Sequence, residues 1–191
     1  LIDLSHVTSD AMEDAIRVSR APVIFSHSSA RALCDHVRNV PDHVLRLLPK
    51  NGGVVMVSFV PGFTTPEAMG WDNAKDREQE RAGQAMPNDD AGVKAALDAW
   101  VAAHPRPMVT VAQVADHIDH IRTVSGIDHV GYGSDFDGIS VAPTGLDDVS
   151  TFPALTAELL RRGYGDGDVK KVLGLNMLRV MRAAEAVAAP R

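Results

Sequence analysis

Cysteine is almost absent from this sequence, since Cys34 is the only one among 191 residues. No disulfide can form within the chain, so the sequence does not require an oxidising compartment, and we expect a cytoplasmic location. No reactive-cysteine motif surrounds Cys34. We therefore expect it to be a buried helix residue and not a nucleophile.

Long apolar runs and an excess of positive charge are also lacking. No stretch approaches the ~20 apolar residues of a membrane-spanning helix, so we expect no membrane partner. The 25 acidic residues outnumber the 19 lysines and arginines, and the formal net charge is −6. Because a duplex-DNA binder needs a basic face, the charge favours a small-molecule partner over nucleic acid.

A lead-in before the first structural element is missing as well. The chain opens at Leu1–Ser5, whose apolar pattern indicates a buried strand, with no initiator methionine and no signal peptide before it. We therefore expect the sequence to begin inside a larger domain.

What the sequence does contain is an alternation of apolar strands and helices. Strands are predicted at residues 1–5, 22–26, 54–59 and 129–134. Helices are predicted at residues 8–19, 29–36, from 41 through 48, 88–104, 110–124, 150–163, 166–173 and 175–186. Thr110 and Gln113 form a capping box at the start of one of them. This order predicts an α/β fold with a parallel sheet and right-handed crossovers.

Four βα units allow two architectures, a small open sheet or half of a closed barrel. A (β/α)₈ TIM barrel needs about 250 residues, and four units are half of its eight. Together with the abrupt start, this favours the second half of such a barrel. We predict one domain over residues 1–191, the C-terminal half of the barrel, with an insertion at about residues 60–108.

Two histidines stand at the predicted ends of consecutive strands. Reactive groups of βα folds lie at the carboxyl ends of the strands, and this rule selects His6 and His27. Neighbouring strands are about 4.8 Å apart, and two imidazoles on one zinc have nitrogens roughly 3.3 Å apart. Both histidines follow a serine. The residues thus indicate a metal site, although two separate hydrogen-bonded histidines remain the alternative.

The same rule selects Ser58-Phe59 and Asp135. Gly138 suggests that the chain turns before Asp137, so only Asp135 is expected to face the barrel mouth. A carboxylate there suits a general base and acid beside a metal, although a loop cap is the alternative.

Further candidates lie in a loop and on a helix. Arg38 follows the second strand with Asn39 beside it, and a guanidinium can bind a carboxylate through two parallel hydrogen bonds; a surface arginine is the alternative. His117 and His120 lie off the apolar stripe of their helix. We interpret them as part of a solvated or inter-helix face, not as metal ligands.

Taken together, these segments resemble the renal (membrane) dipeptidase family of zinc-dependent, amidohydrolase-like TIM barrels. The matching segments are residues 2–7, 22–29, 38–42, 114–121 and 133–138, with a similar tail at 163–180. The resemblance implies that His6 and His27 bind the second of two zinc ions, and that Arg38, with Asn39 beside it, binds the substrate carboxylate. It implies that Asp135 assists a zinc-bridged hydroxide and protonates the leaving amine.

The sequence departs from the family pattern in one large respect. The family's His-x-Asp strand end, its metal-bridging glutamate and an upstream substrate histidine have no counterpart among residues 1–191. All three belong to the N-terminal half of the barrel, which is therefore an expected partner. The insertion at 60–108 resembles the bacterial branch and is expected to cover the site or alter substrate preference.

The resemblance implies hydrolysis of dipeptides, including those with a C-terminal D-residue. The cofactor would be Zn²⁺, two per complete active site, with further ligands upstream of this chain. We expect residues 1–191 alone to be inactive. A metal-dependent amidohydrolase acting on cyclic amides is one alternative. The other is a non-catalytic half-barrel assembly module, for which a homodimer is one arrangement.

Overall fold

A parallel sheet forms the centre of the chain in a computed structural model, which describes residues 1–188. Its three strands are β1 (Ile24–Phe25), β2 (Val54–Ser58) and β3 (Val130–Ser134), in the order β1-β2-β3. The predicted strand at 1–5 is present only as a parallel bridge between Asp3 and Ile24. The Leu4 amide donates to the Ile24 carbonyl at 2.8 Å. The α/β class and the parallel sheet are therefore confirmed.

Ten α-helices surround the sheet within the described residues. They are α1 (Ser9–Val18), α2 (Asp42–Leu45), α3 (Leu48–Asn51), α4 (Pro61–Thr64), α5 (Pro66–Ala85), α6 (Asp90–Ala103), α7 (Val111–Ser125), α8 (Phe152–Arg161), α9 (Asp166–Lys170) and α10 (Asn176–Val187). The predicted capping box opens α7, with the Thr110 and Gln113 side chains bonded reciprocally to the backbone. A π-helical turn at Lys171–Leu175 joins α9 to α10.

One local prediction was wrong, and one long helix was not predicted. The segment 29–36 forms turns and not a helix, because Ala30 pairs with Val40 in a parallel bridge that draws the chain into a closed loop. Within the insertion at 60–108, the 20-residue helix α5 forms where no helix was predicted. Thr65 caps that helix by accepting from the Ala68 amide. Pro66 is its first residue, where the missing backbone N–H costs little because amides of the first turn have no partner within the helix.

The sheet buries side chains on both of its faces. Phe25, Val55 and Val130 face the main core, where α1, α2, α7 and α8 pack. Ile24 and Val54 point the other way and form a smaller cluster with Val180 of α10. Burial on both faces explains the continuous apolar sequence of β2.

The helix α10 is fixed near the starts of β2 and β3. The Arg179 guanidinium donates to the carbonyls of Gly52 and Asp128, each at 2.6 Å. Some apolar side chains of the described chain remain exposed, among them Leu175 at 51% and Leu1 at 62%. No helix in the described part of the chain combines the length and apolar character needed to cross a bilayer.

His117 is buried in this fold, so of the two expected places, a solvated or an inter-helix face, the structure shows the inter-helix one. Its Nδ1 accepts from the Ala30 amide at 3.0 Å, and its Nε2–H donates to the Thr64 carbonyl at 2.9 Å. The side chain thus ties α7 to the 30–40 loop and to α4. Its neighbour His120 has an inter-helix place, with Nε2 2.7 Å from Asp42 of α2.

His117 should make the stability of the fold depend on pH. Burial lowers its pKa, and so does the nearby His120, against the opposing effects of the Thr64 carbonyl and Asp116. Below pH ~6.5 the His117 imidazole therefore binds a proton in the unfolded chain but not in the folded chain. We expect the unfolding free energy to fall by up to about 1.4 kcal/mol per pH unit as the pH drops below ~6.5.

Denaturant titrations of the parent and His117→Gln between pH 5 and 8 would measure this effect. The variant should lose the extra slope. His43→Gln is the control, because His43 is exposed beside Glu13. Equal slopes for the parent and His117→Gln would contradict the assignment.

Candidate active site

Two imidazoles meet where the first two chain segments of the sheet end. His6 follows the segment that pairs with β1, and His27 follows β1 itself. Their Nε2 atoms lie 2.8 Å apart, and the ring centroids are separated by 4.9 Å. Desolvation lowers the pKa of His6, as does the positive charge of Arg38. A neutral imidazole with a free nitrogen lone pair is the form that binds a metal.

This donor pair suits a zinc ion but does not complete its coordination. Imidazole nitrogen is a preferred ligand of Zn²⁺, and a catalytic zinc takes three protein ligands. Within residues 1–188, no group of three or more histidine, cysteine, aspartate or glutamate side chains is placed to hold a metal. A zinc ion held by these two histidines would need at least one further protein ligand.

A carboxylate that sequence reasoning missed joins the two strand ends. Asp3 Oδ1 accepts from the amides of Ser5 and Ser26, each at 3.0 Å, and Oδ2 accepts from the Ser26 hydroxyl. Burial opposes the charge of Asp3, yet the hydrogen bonds from Ser26 and Ser5 leave its pKa lowered. The available signal was its spacing, since Asp3 precedes His6 by three residues on the same predicted strand.

Unusual backbone geometry concentrates at this edge of the sheet. Four residues other than glycine have positive φ in the described chain, and three of them, His6, Ser134 and Asp135, follow or end strands here. The pairing of β2 with β3 also shifts register between Val57 and Ser58. Left-handed residues and irregular pairing are costly and are found preferentially at functional sites.

A cavity of about 750 Å³ opens beside His27. Ser26 and Asp135 line it, and so does Asp137, which was expected to turn away. Its far wall is formed by residues 139–142 and 147–149. These wall residues follow the last strand in an irregular segment, where periodicity offers no signal.

Gly133 allows the strands to approach closely beneath this cavity. A Cβ atom at this position would lie 2.4 Å from the carbonyl oxygens of both Met56 and Ser26. Because neither backbone oxygen can move away cheaply, any larger residue would push β3 away from its neighbours and displace Asp135.

Arg38 reaches the same region from the loop after β1. Its guanidinium stacks over Phe63 with the central carbon 5.2 Å from the ring centroid. Desolvation lowers its pKa, while the charges of Asp135 and Asp3 oppose that shift. Nε and Nη2 are buried, and neither finds a hydrogen-bond partner among residues 1–188. Buried unpaired donors are costly, so they mark a place for an absent acceptor.

Asn39 takes a different place from the one expected beside Arg38. It is fully buried, its Oδ1 accepts from the Ser29 amide, and its Nδ2 donates to the carbonyls of Cys34 and Phe63. Both amide protons are therefore engaged within the protein. Asn39 thus supports the loop that carries Arg38, and its contact with substrate stays a prediction.

The remaining residues considered from the sequence, Cys34, Ser58 and Phe59, do not line the cavity. Burial raises the pKa of the Cys34 thiol to about 11, so at neutral pH it is protonated and unreactive. Ser58 is buried and Phe59 packs against Tyr132, Phe136 and Phe152. These side chains belong to the core beneath the site.

The fold and the site together define an α/β protein that gathers histidines, carboxylates and an arginine at one edge of a parallel sheet. The model of the "Membrane dipeptidase (Peptidase family M19)" matches residues 1–191. The chain therefore belongs to the membrane dipeptidase family, and the resemblance stated from the sequence is confirmed.

Known proteins support the same family. The chain is 43% identical over 189 residues to the dipeptidase tcpJ of Claviceps purpurea, covering 99% of this chain and 36% of the relative. The probable dipeptidase PvdM of Pseudomonas aeruginosa matches with a TM-score of 0.81 and 32% identity, covering 98% of this chain and 51% of that one.

A second structure was solved with a substrate-like ligand. It is a metallopeptidase from Rhodobacter sphaeroides, "liganded with phosphinate mimic of dipeptide L-Ala-D-Ala", with a TM-score of 0.71 and 27% identity, covering 96% of this chain and 42% of that one. The chain thus spans between about a third and a half of the proteins it matches. A bacterial-type assignment is not supported, because Claviceps is a eukaryote.

Proposed function

We propose that the complete protein is a zinc-dependent dipeptidase and that this chain forms the second half of its (β/α)₈ barrel. The sheet of β1, β2 and β3 with the paired 1–5 segment accounts for four of eight strands. The N-terminal half of the barrel would cover the exposed apolar side chains of Leu1 and Leu175. A cytoplasmic location is part of the same proposal and rests only on the single cysteine.

One observation carries the proposal. The imidazoles of His6 and His27 face each other at the strand ends, and the nearby Arg38 guanidinium has two buried donors, Nε and Nη2, without a partner in the described residues. His6 and His27 would hold one of two zinc ions, whose other ligands come from outside this chain. Zinc held there would act as a Lewis acid, polarising a carbonyl oxygen and lowering the pKa of a water.

Arg38 would bind the substrate's free carboxylate. Its two unpaired donors can form two parallel hydrogen bonds to carboxylate oxygens. That contact would fix the peptide bond relative to the histidines. It would also restrict the enzyme to short peptides, because the carboxylate must lie close to the bond that breaks.

Asp135 would move the proton. It lines the cavity with His27 and is near enough to influence the pKa of both His6 and Arg38. Its carboxylate would take a proton from the attacking water and deliver it to the nitrogen of the leaving amine. The dipeptide mimic bound by the Rhodobacter enzyme supports substrates with a C-terminal D-residue.

The test compares L-Ala-D-Ala, its C-terminal amide and a dihydropyrimidine as substrates of the protein produced from its gene. The parent should hydrolyse the free dipeptide and disfavour the amide. Arg38→Met should raise KM for the free dipeptide by about 10²-fold, because two charge-assisted hydrogen bonds are lost. Arg38→Lys keeps the positive charge but not the paired donors, so its KM for the free dipeptide should lie between those of the parent and Arg38→Met.

Other outcomes decide against the proposal. Turnover of the dihydropyrimidine without dipeptide hydrolysis would support the cyclic-amide alternative. Peptidase activity from residues 1–191 alone would show that no other half is needed. A stable closed dimer of that chain without activity would favour the assembly module, whereas a stable monomer would argue against it.

A further inference from the structure

A hydrogen-bonded chain leads from Asp3 through Ser26 to the ring of His27. Asp3 Oδ2 accepts from the Ser26 hydroxyl, and Ser26 Oγ lies 2.8 Å from His27 Nδ1. On the other side of the imidazole, Nε2 faces His6, and both Ser26 and His27 line the cavity.

The direction of the protons in this chain follows from the chemistry of its members. A carboxylate can only accept, so the single Ser26 hydroxyl proton points to Asp3. Ser26 Oγ must then accept from His27, which places the ring proton on Nδ1. His27 Nε2 consequently carries a lone pair, which is directed toward His6 and accepts the 2.8 Å hydrogen bond from His6 Nε2.

Asp3 also holds together the two segments that carry the histidines. Its Oδ1 accepts both the Ser5 amide on one segment and the Ser26 amide on the other. In return, the His27 amide donates to Ser5 Oγ at 3.0 Å. The backbones of these segments pair only through one bridge, between Asp3 and Ile24. Beyond that bridge, the side-chain hydrogen bonds of Asp3 and Ser5 hold the segments together in place of backbone hydrogen bonds.

We propose that Asp3 and Ser26 are positioning residues that hold His27 in the tautomer and orientation required for metal binding. The proposal rests on the proposed function, since it assumes that His27 binds zinc. The partner of the second ring nitrogen generally fixes the tautomer of a metal-bound histidine, and its loss costs about 10–100-fold in metal affinity. Here a serine relays the effect of the carboxylate.

Asp3→Asn tests the relay with little change in volume. The amide oxygen of the new side chain can still accept the two backbone amides, so its NH₂ group would face Ser26. Ser26 would then donate to His27 Nδ1 and shift the ring proton to Nε2, where it blocks the metal. We expect zinc affinity, measured by chelator competition in the protein produced from its gene, to fall about 10–100-fold.

Ser26 provides a second variant with the Asp3 clamp intact. Ser26→Ala removes the relay but leaves the backbone bonds of Asp3, so zinc affinity should still fall while the midpoint of thermal unfolding stays near that of the parent. Ser26→Thr is the matched control, because it keeps the hydroxyl and should keep the affinity. The ¹⁵N NMR shifts of the His27 ring in zinc-free protein report the tautomer independently.

The outcomes separate this inference from the proposed function. Unchanged zinc affinity in both Asp3→Asn and Ser26→Ala, or a His27 ring that keeps its proton on Nδ1 in Asp3→Asn, would overturn the positioning role. If His27→Ala also binds zinc as tightly as the parent, the proposed metal site itself fails. If only His27→Ala weakens binding, the metal site stands and the relay does not.

Discussion

Replacing His27 with alanine should lower kcat/KM for dipeptide hydrolysis by at least about 10³-fold, because the metal that lowers the pKa of water is lost with its ligand. His6→Ala should have the same effect, since the Nε2 atoms of the two rings lie 2.8 Å apart and would bind the same proposed zinc ion. Zinc content per chain, measured by atomic absorption, should fall by the one ion that these two histidines would hold.

The double variant makes this prediction sharper. Groups that act as a unit lose their effect together, so His6→Ala/His27→Ala should be scarcely worse than either single change. His43→Ala serves as the control, since that exposed histidine contacts Glu13 of α1. Losses that multiply in the double variant, or full zinc content in His27→Ala, would contradict a shared cation.

The strand-end histidines could be anticipated from the sequence because the physics behind them is local. Parallel strands bring their carboxyl ends to one edge, so any two residues that end neighbouring strands must meet. His6 and His27 satisfy that rule even though the first segment pairs only through one bridge at Asp3. The capping box at Thr110 was predictable for the same reason, because both partners lie within four residues.

The surroundings of these residues could not be anticipated, because they depend on contacts between distant segments. The periodicity of α7 placed His117 off the apolar stripe, and only the packing of Ala30 and Thr64 against it shows that it is buried. Asn39 looked equivalent to its neighbour Arg38. Its three hydrogen bonds to Ser29, Cys34 and Phe63 span up to 24 residues, and no sequence pattern encodes them.

Asp135→Asn should lower kcat by about 10²–10⁴-fold with little change in KM, because a positioned acid–base group contributes that much and the amide cannot carry the proton. The substitution is well matched to the backbone. Asp135 has φ 78°, and asparagine tolerates this left-handed conformation better than alanine does. Zinc content should remain that of the parent, which separates loss of proton transfer from loss of the metal.

Asp137 supplies the matched control for this experiment. It lines the same cavity two residues further along and is exposed, so Asp137→Asn removes an equal charge from the same place without removing the proton carrier. If the two variants lose activity equally, the cavity needs only its negative charge, and Asp135 has no special role in moving a proton. If only Asp135→Asn lowers kcat, general acid–base catalysis is assigned to Asp135. This residue directly follows β3, and its left-handed backbone places it near the two histidines.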